Sequence, residues 1–234
     1  MEEAACVMKA RSSSVSGEYT VGVPGWFACA LNVLKTRPNI VLRGLAIMLL
    51  FSLAAVVLGM LPGGYYIAIA VQLTIGLVLQ AGWNLFCLRL VRDEDVSPMV
   101  IFEPFRRFGQ AWLVSIILSL MTAAGLFFFI IPGLYVLARF GMGVFAFVDR
   151  DLEVADALNF SSWITEGNRL QILLLHLIIG AMSLIFLLPN LMDPESQMSM
   201  VMLLVYQFIM IPLAGTAYAA AYDSLVETKA GERT

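Results

Sequence analysis

Residues Asn39–Leu61 read NIVLRGLAIMLLFSLAAVVLGML, Pro62-Gly63-Gly64 follows, and Tyr65–Leu90 resumes as YYIAIAVQLTIGLVLQAGWNLFCLRL. Arg43 is the one charge in the first run and Arg89 the one charge in the second. Each run meets or exceeds the ~20 apolar residues that cross a ~30 Å hydrocarbon layer as a helix. The uncharged Pro-Gly-Gly between them favours a tight turn. Only a helix or a closed barrel satisfies its backbone within lipid, and runs of this length and composition are helical. The pair therefore reads as a transmembrane helical hairpin.

The rest of the chain follows the same plan. Span three is expected at about Ala111–Ile131, with Pro132-Gly133 turning the chain into span four at Leu134–Val148. Span four is short, about 22 Å at 1.5 Å per residue. Span five is expected at Leu170–Leu188, and Pro189-Asn190 opens an acidic turn, Asp193-Pro194-Glu195, before span six at Met198–Tyr222. Composition agrees: 60% of residues are apolar and 13% charged, too little charge to cover a soluble surface. The expected fold is an all-α polytopic transmembrane helical bundle, six spans arranged as three hairpins over residues 23–226. A flexible polar tail, 1–22, precedes it and a polar tail, 227–234, follows.

The basic residues orient the bundle. With six spans and the N-terminus inside, the inner segments hold Lys9, Arg11, Lys35, Arg37, Arg43, Arg89, Arg92, Arg106, Arg107, Arg150, Arg169, Lys229 and Arg233. The outer turns hold none, and of the 14 Lys and Arg only Arg139 is left, within span four. The positive-inside rule then places both termini in the cytoplasm. Residues 1–22 lack a signal-peptide pattern, so span one is expected to act as the insertion signal and stay in place. Cys6, Cys29 and Cys87 are too far apart in sequence for a Cys-x-x-Cys site, which argues against a disulfide or zinc framework.

Three inner segments are amphipathic. Residues 26–37 carry Trp26, Phe27, Leu31 and Leu34, and residues 99–110 carry Phe102, Phe105 and Phe108 beside Arg106 and Arg107. Residues 152–166 place Leu152, Ala155, Leu158 and Ser162 on one face. All three suit helices lying in the membrane interface, with Trp26, Phe105 and Trp163 as headgroup-level anchors. The segments echo one another: Ala30-Leu31-Asn32 leads to Pro38-Asn39, as Ala157-Leu158-Asn159 leads to Gly167-Asn168. The outer turns echo too, Leu61-Pro62-Gly63-Gly64-Tyr65 against Ile131-Pro132-Gly133-Leu134-Tyr135, with Leu188-Pro189-Asn190 as a weaker third copy. A unit of interfacial helix, span, Pro turn and span, present three times, is one reading; chance matching of short apolar strings is the other.

Few polar groups lie in the spans. A charge at mid-span costs at least ~2.5–3.5 kcal/mol, so Arg139 needs a partner or a wet cavity. Asn84 or Gln80 in span two, and Asp149 or Asp223 near the inner surface, are the candidates. Arg139 could contact an anion or lipid headgroup, or it could form a structural pair or snorkel from a tilted helix. His176, the single histidine, has no neighbouring Glu or Cys and suits an interhelical hydrogen bond better than a metal site. Gln72 and Gln207 read the same way, and Ala214, Gly215, Ala217, Ala219, Ala220 and Ala221 let span six pack closely. Neither Gly-x-Ser-x-Gly, His-Glu-x-x-His nor a phosphate loop is present, and topology accounts for the basic residues without nucleic acid. No cofactor or catalytic role is expected.

Residues 99–175 carry a longer pattern: Phe105-x-x-Phe108, Ile131-Pro132-Gly133-x-Tyr135, Arg139-Phe140-x-Met142, Val148-Asp149, Ala157-Leu158-x-x-Ser161 and Thr165-x-Gly167-Asn168. It resembles a bacterial superfamily of uncharacterised integral membrane proteins that includes the membrane domain of some glycerophosphoryl diester phosphodiesterases. The family pattern is an Ile-Pro-Gly-x-Tyr turn, a short helix ending in Asp, and an Ala-Leu-x-x-Ser-Trp-x-x-Thr-x-Gly string; here Trp163 stands one residue later. The resemblance implies a membrane fold and no particular activity.

The expected role is a non-enzymatic scaffold or accessory protein in envelope or lipid homeostasis, in contact with the bilayer and with a protein partner or further copies of itself. The alternative is a small transporter or channel working as an oligomer. Single cysteines on a cysteine-free background test the topology: positions 64 and 196 should label from outside, and 94 and 227 only from inside. External labelling of position 227 in intact cells would overturn the orientation.

Overall fold

The computed structural model describes residues 22–128, 130–193, 198, 201–202 and 205–231. Residues 1–21, residues 194–197, where the acidic turn is expected, and the last three residues lie outside the described residues.

Every element among the described residues is helical. Helix α1 (Val23–Thr36) has Pro24 in its first turn, where the missing N–H would have had no partner. Its inward face is Trp26, Cys29, Ala30 and Val33, the i, i+3, i+4, i+7 spacing of an amphipathic helix. Helix α2 (Pro38–Gly59) is the first span, and the chain turns through Pro62-Gly63. Gly63 takes φ +75°, and Gly64 N–H donates to the Leu61 carbonyl at 2.8 Å. Span two runs through α3 (Gly64–Val71), a π-helical segment (Gln72–Gly76) and α4 (Leu77–Val91).

A 3-10 helix, Pro98–Arg107, leads directly into α5 (Phe108–Phe128). Span four is split into α6 (Ile130–Phe140) and α7 (Gly143–Arg150). Then come α8 (Val154–Ile164), α9 (Arg169–Met192), a second π-helical segment (Tyr206–Met210) and α10 (Ile211–Gly231). Among the described residues six stretches are long and apolar enough to cross a membrane: Pro38–Gly59, Gly64–Val91, Pro98–Gly125, Ile131–Arg150, Arg169–Pro189 and Tyr206–Gly231. The chain is a multi-pass membrane protein of six helical spans. Its outward side chains agree, since Leu50 (67%), Leu53 (60%) and Ile185 (66%) are exposed where a soluble protein would aggregate and a bilayer would cover them.

Helix α4 is the centre of the bundle and packs on α1, α2, α5, α7, α10 and the 3-10 segment. Small residues set the approach distances. A Cβ at Gly82 would lie 1.8 Å from the Ile101 carbonyl oxygen, so the 3-10 segment sits directly on the α4 backbone. Gly215 of α10 faces the Trp83 indole and Cys87 of α4 in the same way, at 2.5 and 2.8 Å. This is the close packing expected of the small residues in span six.

Several expectations need correction. Pro132-Gly133 is not the turn between spans three and four; both residues lie in the first turns of α6, where proline is tolerated. Pro189 does not end span five, because α9 continues to Met192. The outer turns therefore differ in build, and the Pro-Gly echo between them is not a structural repeat. The inner halves do correspond: α1 and α8 are both helices that bury an alanine, Ala30 and Ala157, and each precedes a long span across a short break. Trp26 is not a headgroup anchor, being 1% exposed with Nε1 donating to Ser224 Oγ on α10 at 2.7 Å. The phenylalanines at 102, 105 and 108 stand in a ladder with neighbouring ring centres 6.0 Å apart. Their spacing of three is the 3-10 period, in which side chains at i and i+3 eclipse.

Gly82→Ala should lower the melting temperature of the detergent-solubilised protein sharply, since its Cβ meets backbone that cannot move aside. Gly109→Ala, with open space around its Cβ, should leave the temperature unchanged or raise it, since glycine costs a helix ~0.5–1 kcal/mol of stability relative to alanine. Differential scanning fluorimetry on the two variants separates the outcomes.

Candidate functional site

Span two ends in Arg92, and three spans meet on it. Arg92 Nη1 donates to Asp149 Oδ1 and Nη2 to Asp149 Oδ2 at 3.1 Å, a two-pronged pair with the end of α7. Its Nε donates to Asp223 Oδ1 on α10 at 2.7 Å. Tyr222 Oη donates to Asp149 Oδ2 at 2.9 Å, and Arg150 Nε stands 3.9 Å from the same oxygen. The side chains of Arg92, Asp149 and Asp223 are 16, 10 and 21% exposed, so water screens them poorly. Burial alone works to lower the Arg92 pKa, but the hydrogen bonds and charges of the two aspartates outweigh it and hold the guanidinium above its ordinary value. On α1, burial first and the Asp223 charge second push the Cys29 thiol up to about 11, which leaves it an inert apolar filler at neutral pH.

Other arginines at this end are paired more openly. Arg89 makes a two-pronged bond with Glu103, at 2.8 and 2.6 Å, tying α4 to the 3-10 segment. Arg37 bonds the Asp93 carboxylate and donates to the Glu94 carbonyl at 2.7 Å. Arg107 bonds Asp151 and stands over the Phe147 ring. Beside the Arg92 network a cleft of about 630 Å³ opens between α8 and α10, lined by Arg150, Asp156, Phe160, Trp163, Val226 and Ala230. The Arg150 guanidinium lies 4.4 Å from the Phe160 ring centre on the cleft wall.

The sequence candidates do not gather in one place. Arg139 is bonded to neither Asn84, Gln80, Asp149 nor Asp223. Its Nε donates to Ser162 Oγ at 2.7 Å and its Nη1 to Tyr135 Oη at 3.2 Å, and the guanidinium lies 5.0 Å from the Phe140 ring centre. Asp149 belongs to Arg92 instead. Gln80 is exposed and Asn84 half-buried on α4. His176 is packed by its ring: Tyr218 lies 4.8 Å away centre to centre, Nδ1 stands 2.8 Å from the Ile172 carbonyl oxygen, and a Cβ at Gly141 would come within 2.8 Å of the imidazole. Among the described residues no cluster of His, Cys, Asp or Glu is placed to hold a metal ion.

The backbone around Arg139 explains part of the sequence motif. Where span four breaks after Phe140, the Arg139 carbonyl is left without a regular helical partner. Ser161 Oγ donates to it at 3.2 Å, and Thr165 Oγ1 shares its one hydrogen between it, at 3.2 Å, and the Ser161 carbonyl, at 2.9 Å; both residues are fully buried. The i, i+4 hydroxyls of Ser161 and Thr165 are thus the cap of a broken span. The π-helical segment of span two is handled similarly, with Trp112 Nε1 of α5 donating to the Leu73 carbonyl at 2.8 Å. Hydroxyls at helical spacing were visible in the sequence; which carbonyl they would cap was not.

No family model matches the chain, and no curated protein or solved structure matches it.

Arg92→Leu should lower stability strongly, because it leaves two buried carboxylates facing each other. Losing one partner of a buried pair costs up to about 3–5 kcal/mol, less whatever screening the remaining exposure allows. Arg37→Leu breaks a more exposed pair, 27 and 36% accessible, worth about 0–1 kcal/mol. Thermal unfolding of both variants in one detergent should show a much larger drop for Arg92→Leu, and equal small drops would show that the network does not hold the bundle.

Proposed function

We propose that this protein is a non-enzymatic accessory or scaffold protein of the bacterial inner membrane, with both termini in the cytoplasm, acting in envelope or lipid homeostasis. The superfamily resemblance over residues 99–175 supports that setting, and the gathering of Lys and Arg on one side of the six spans supports the orientation.

The observation that carries the accessory reading is how the polar groups of the spans are used. Ser115, Ser119, Thr74 and Thr216 each donate to a carbonyl four residues back on their own helix. Trp112, Ser161 and Thr165 close the irregular backbone described above. A transport route needs polar groups left available along its length, and these are engaged within the bundle. The cleft beside Arg150, with charged and aromatic walls, suits a partner segment at the cytoplasmic end.

A small oligomeric transporter is the second reading. Two observations favour it: π-helical segments interrupt spans two and six, and buried polar atoms at Trp83 Nε1 and Gln207 Oε1 have no hydrogen-bond partner. Such bulges are frequent at functional sites.

Chemical cross-linking in cells followed by purification and mass spectrometry should recover a stoichiometric partner, and Asp156→Lys in the cleft should abolish its recovery. Proteoliposomes of the purified protein should release entrapped ions and small solutes no faster than protein-free liposomes. Solute flux above that background, with no partner recovered, would replace the accessory reading with the transporter.

A further inference from the structure

Arg139 of α6 and Arg169 at the start of α9 converge on one aromatic ring. Their guanidinium carbons lie 6.0 and 5.8 Å from the centre of Tyr135. Arg139 adds hydrogen bonds to the Tyr135 and Ser162 hydroxyls, at 3.2 and 2.7 Å. All these partners are neutral. Among the described residues neither arginine makes a salt bridge, whereas Arg37, Arg89, Arg92 and Arg107 each meet a carboxylate. Glu166, three residues before Arg169, is exposed. Arg169 Nε is buried and has no hydrogen-bond partner at all.

Two cations that share one neutral ring at the ends of helix segments in a membrane protein are costly without a counter-charge. An unpaired buried N–H adds its own desolvation cost. The missing partner must bring negative charge and several acceptor oxygens from outside the chain. Guanidinium is planar and forked, a geometry that fits phosphate oxygens two at a time. Ser162 Oγ accepts from Arg139 Nε, which leaves its own hydrogen to donate.

We propose that Arg139, Arg169, Tyr135 and Ser162 form a binding site for a phosphate group, carried by an anionic phospholipid headgroup or by a soluble phosphate ester. The site stands apart from the accessory reading and from the cleft at Arg150.

The test uses the full chain, purified in detergent and stripped of lipid. Inorganic phosphate, glycerol 3-phosphate and detergent-dissolved phosphatidylglycerol are titrated separately at matched ionic strength, and the melting temperature is followed. A saturable rise with at least one of them is expected. Response to phosphatidylglycerol alone identifies a lipid headgroup; response to the soluble probes identifies a soluble phosphate. Arg169→Gln loses no described hydrogen bond and should fold, yet its apparent affinity should be weaker by roughly tenfold or more. Arg169→Lys should recover part of that loss, and Arg106→Gln, on the exposed face of the 3-10 segment, should bind as the parent does. Absence of any response in the parent protein overturns the proposal, and so does a response that Arg169→Gln leaves unchanged.

Discussion

The bundle depends on one arginine held between two aspartates. Arg92 fixes the ends of α4, α7 and α10 relative to one another, and these helices carry about half of the buried core. In lipid there is little hydrophobic force between helices, so packing and directional polar bonds set their arrangement. An ion pair at the end of three spans is well suited to that task. It is desolvated enough to be strong, and close enough to the span ends for the charges to insert without crossing hydrocarbon. Once the three ends are pinned, the Gly215 face of α10 is held against Trp83 and Cys87 of α4. Tyr222, stacked on Phe145 with ring centres 5.7 Å apart, joins the pin to the apolar core.

The second constraint is backbone satisfaction. Three of the spans are irregular, with π-helical segments in two and a break after Phe140 in the third. Each irregularity frees carbonyls that water cannot reach, and such groups must be paired within the protein. At two of the three the donors come from neighbouring helices: Trp112 for Leu73, Ser161 and Thr165 for Arg139. Gly141 makes the break possible by letting His176 lie against the chain where a Cβ would collide. The broken span is thus held from two sides, by hydroxyls of α8 and by the imidazole of α9.

How much of this was legible depended on whether the signal was local. Apolar runs and charge asymmetry are local, so the all-α class and the six spans follow from composition and length. The turn at Pro62-Gly63 was legible because Gly63 needs a positive φ. Pro132 and Pro189 misled because proline is accepted in the first turn of a helix and its effect can be absorbed near a helix end. Trp26 misled because an amphipathic stripe looks the same whether it faces headgroups or another helix; only the position of Ser224, 198 residues away, decides it. The partner of Arg139 was illegible for a similar reason. Nearness to polar residues in adjacent spans pointed to Asn84 and Asp149, but the split in span four turned Arg139 toward α8. Arg92 was read as a topological charge, and nothing in its own sequence neighbourhood marks it as the hub.

Two sets of arginines in this chain differ in what faces them. Arg37, Arg89, Arg92 and Arg107 meet carboxylates of their own chain and hold elements together. Arg139 and Arg169 meet hydroxyls and an aromatic ring, which orient a guanidinium without neutralising it. A protein that needed these two only as structural clamps could have used the carboxylate partner found at Arg37, Arg89, Arg92 and Arg107. Orientation without neutralisation is instead what a site requires when the counter-charge arrives with a ligand, because an internal carboxylate would compete for the same fork. The positions chosen follow the same logic. Arg139 sits at the break of span four and Arg169 at the start of span five, where irregular backbone and a helix end already interrupt the apolar surface. There a charged group perturbs the hydrocarbon least, and a headgroup or phosphate ester can come nearest to it.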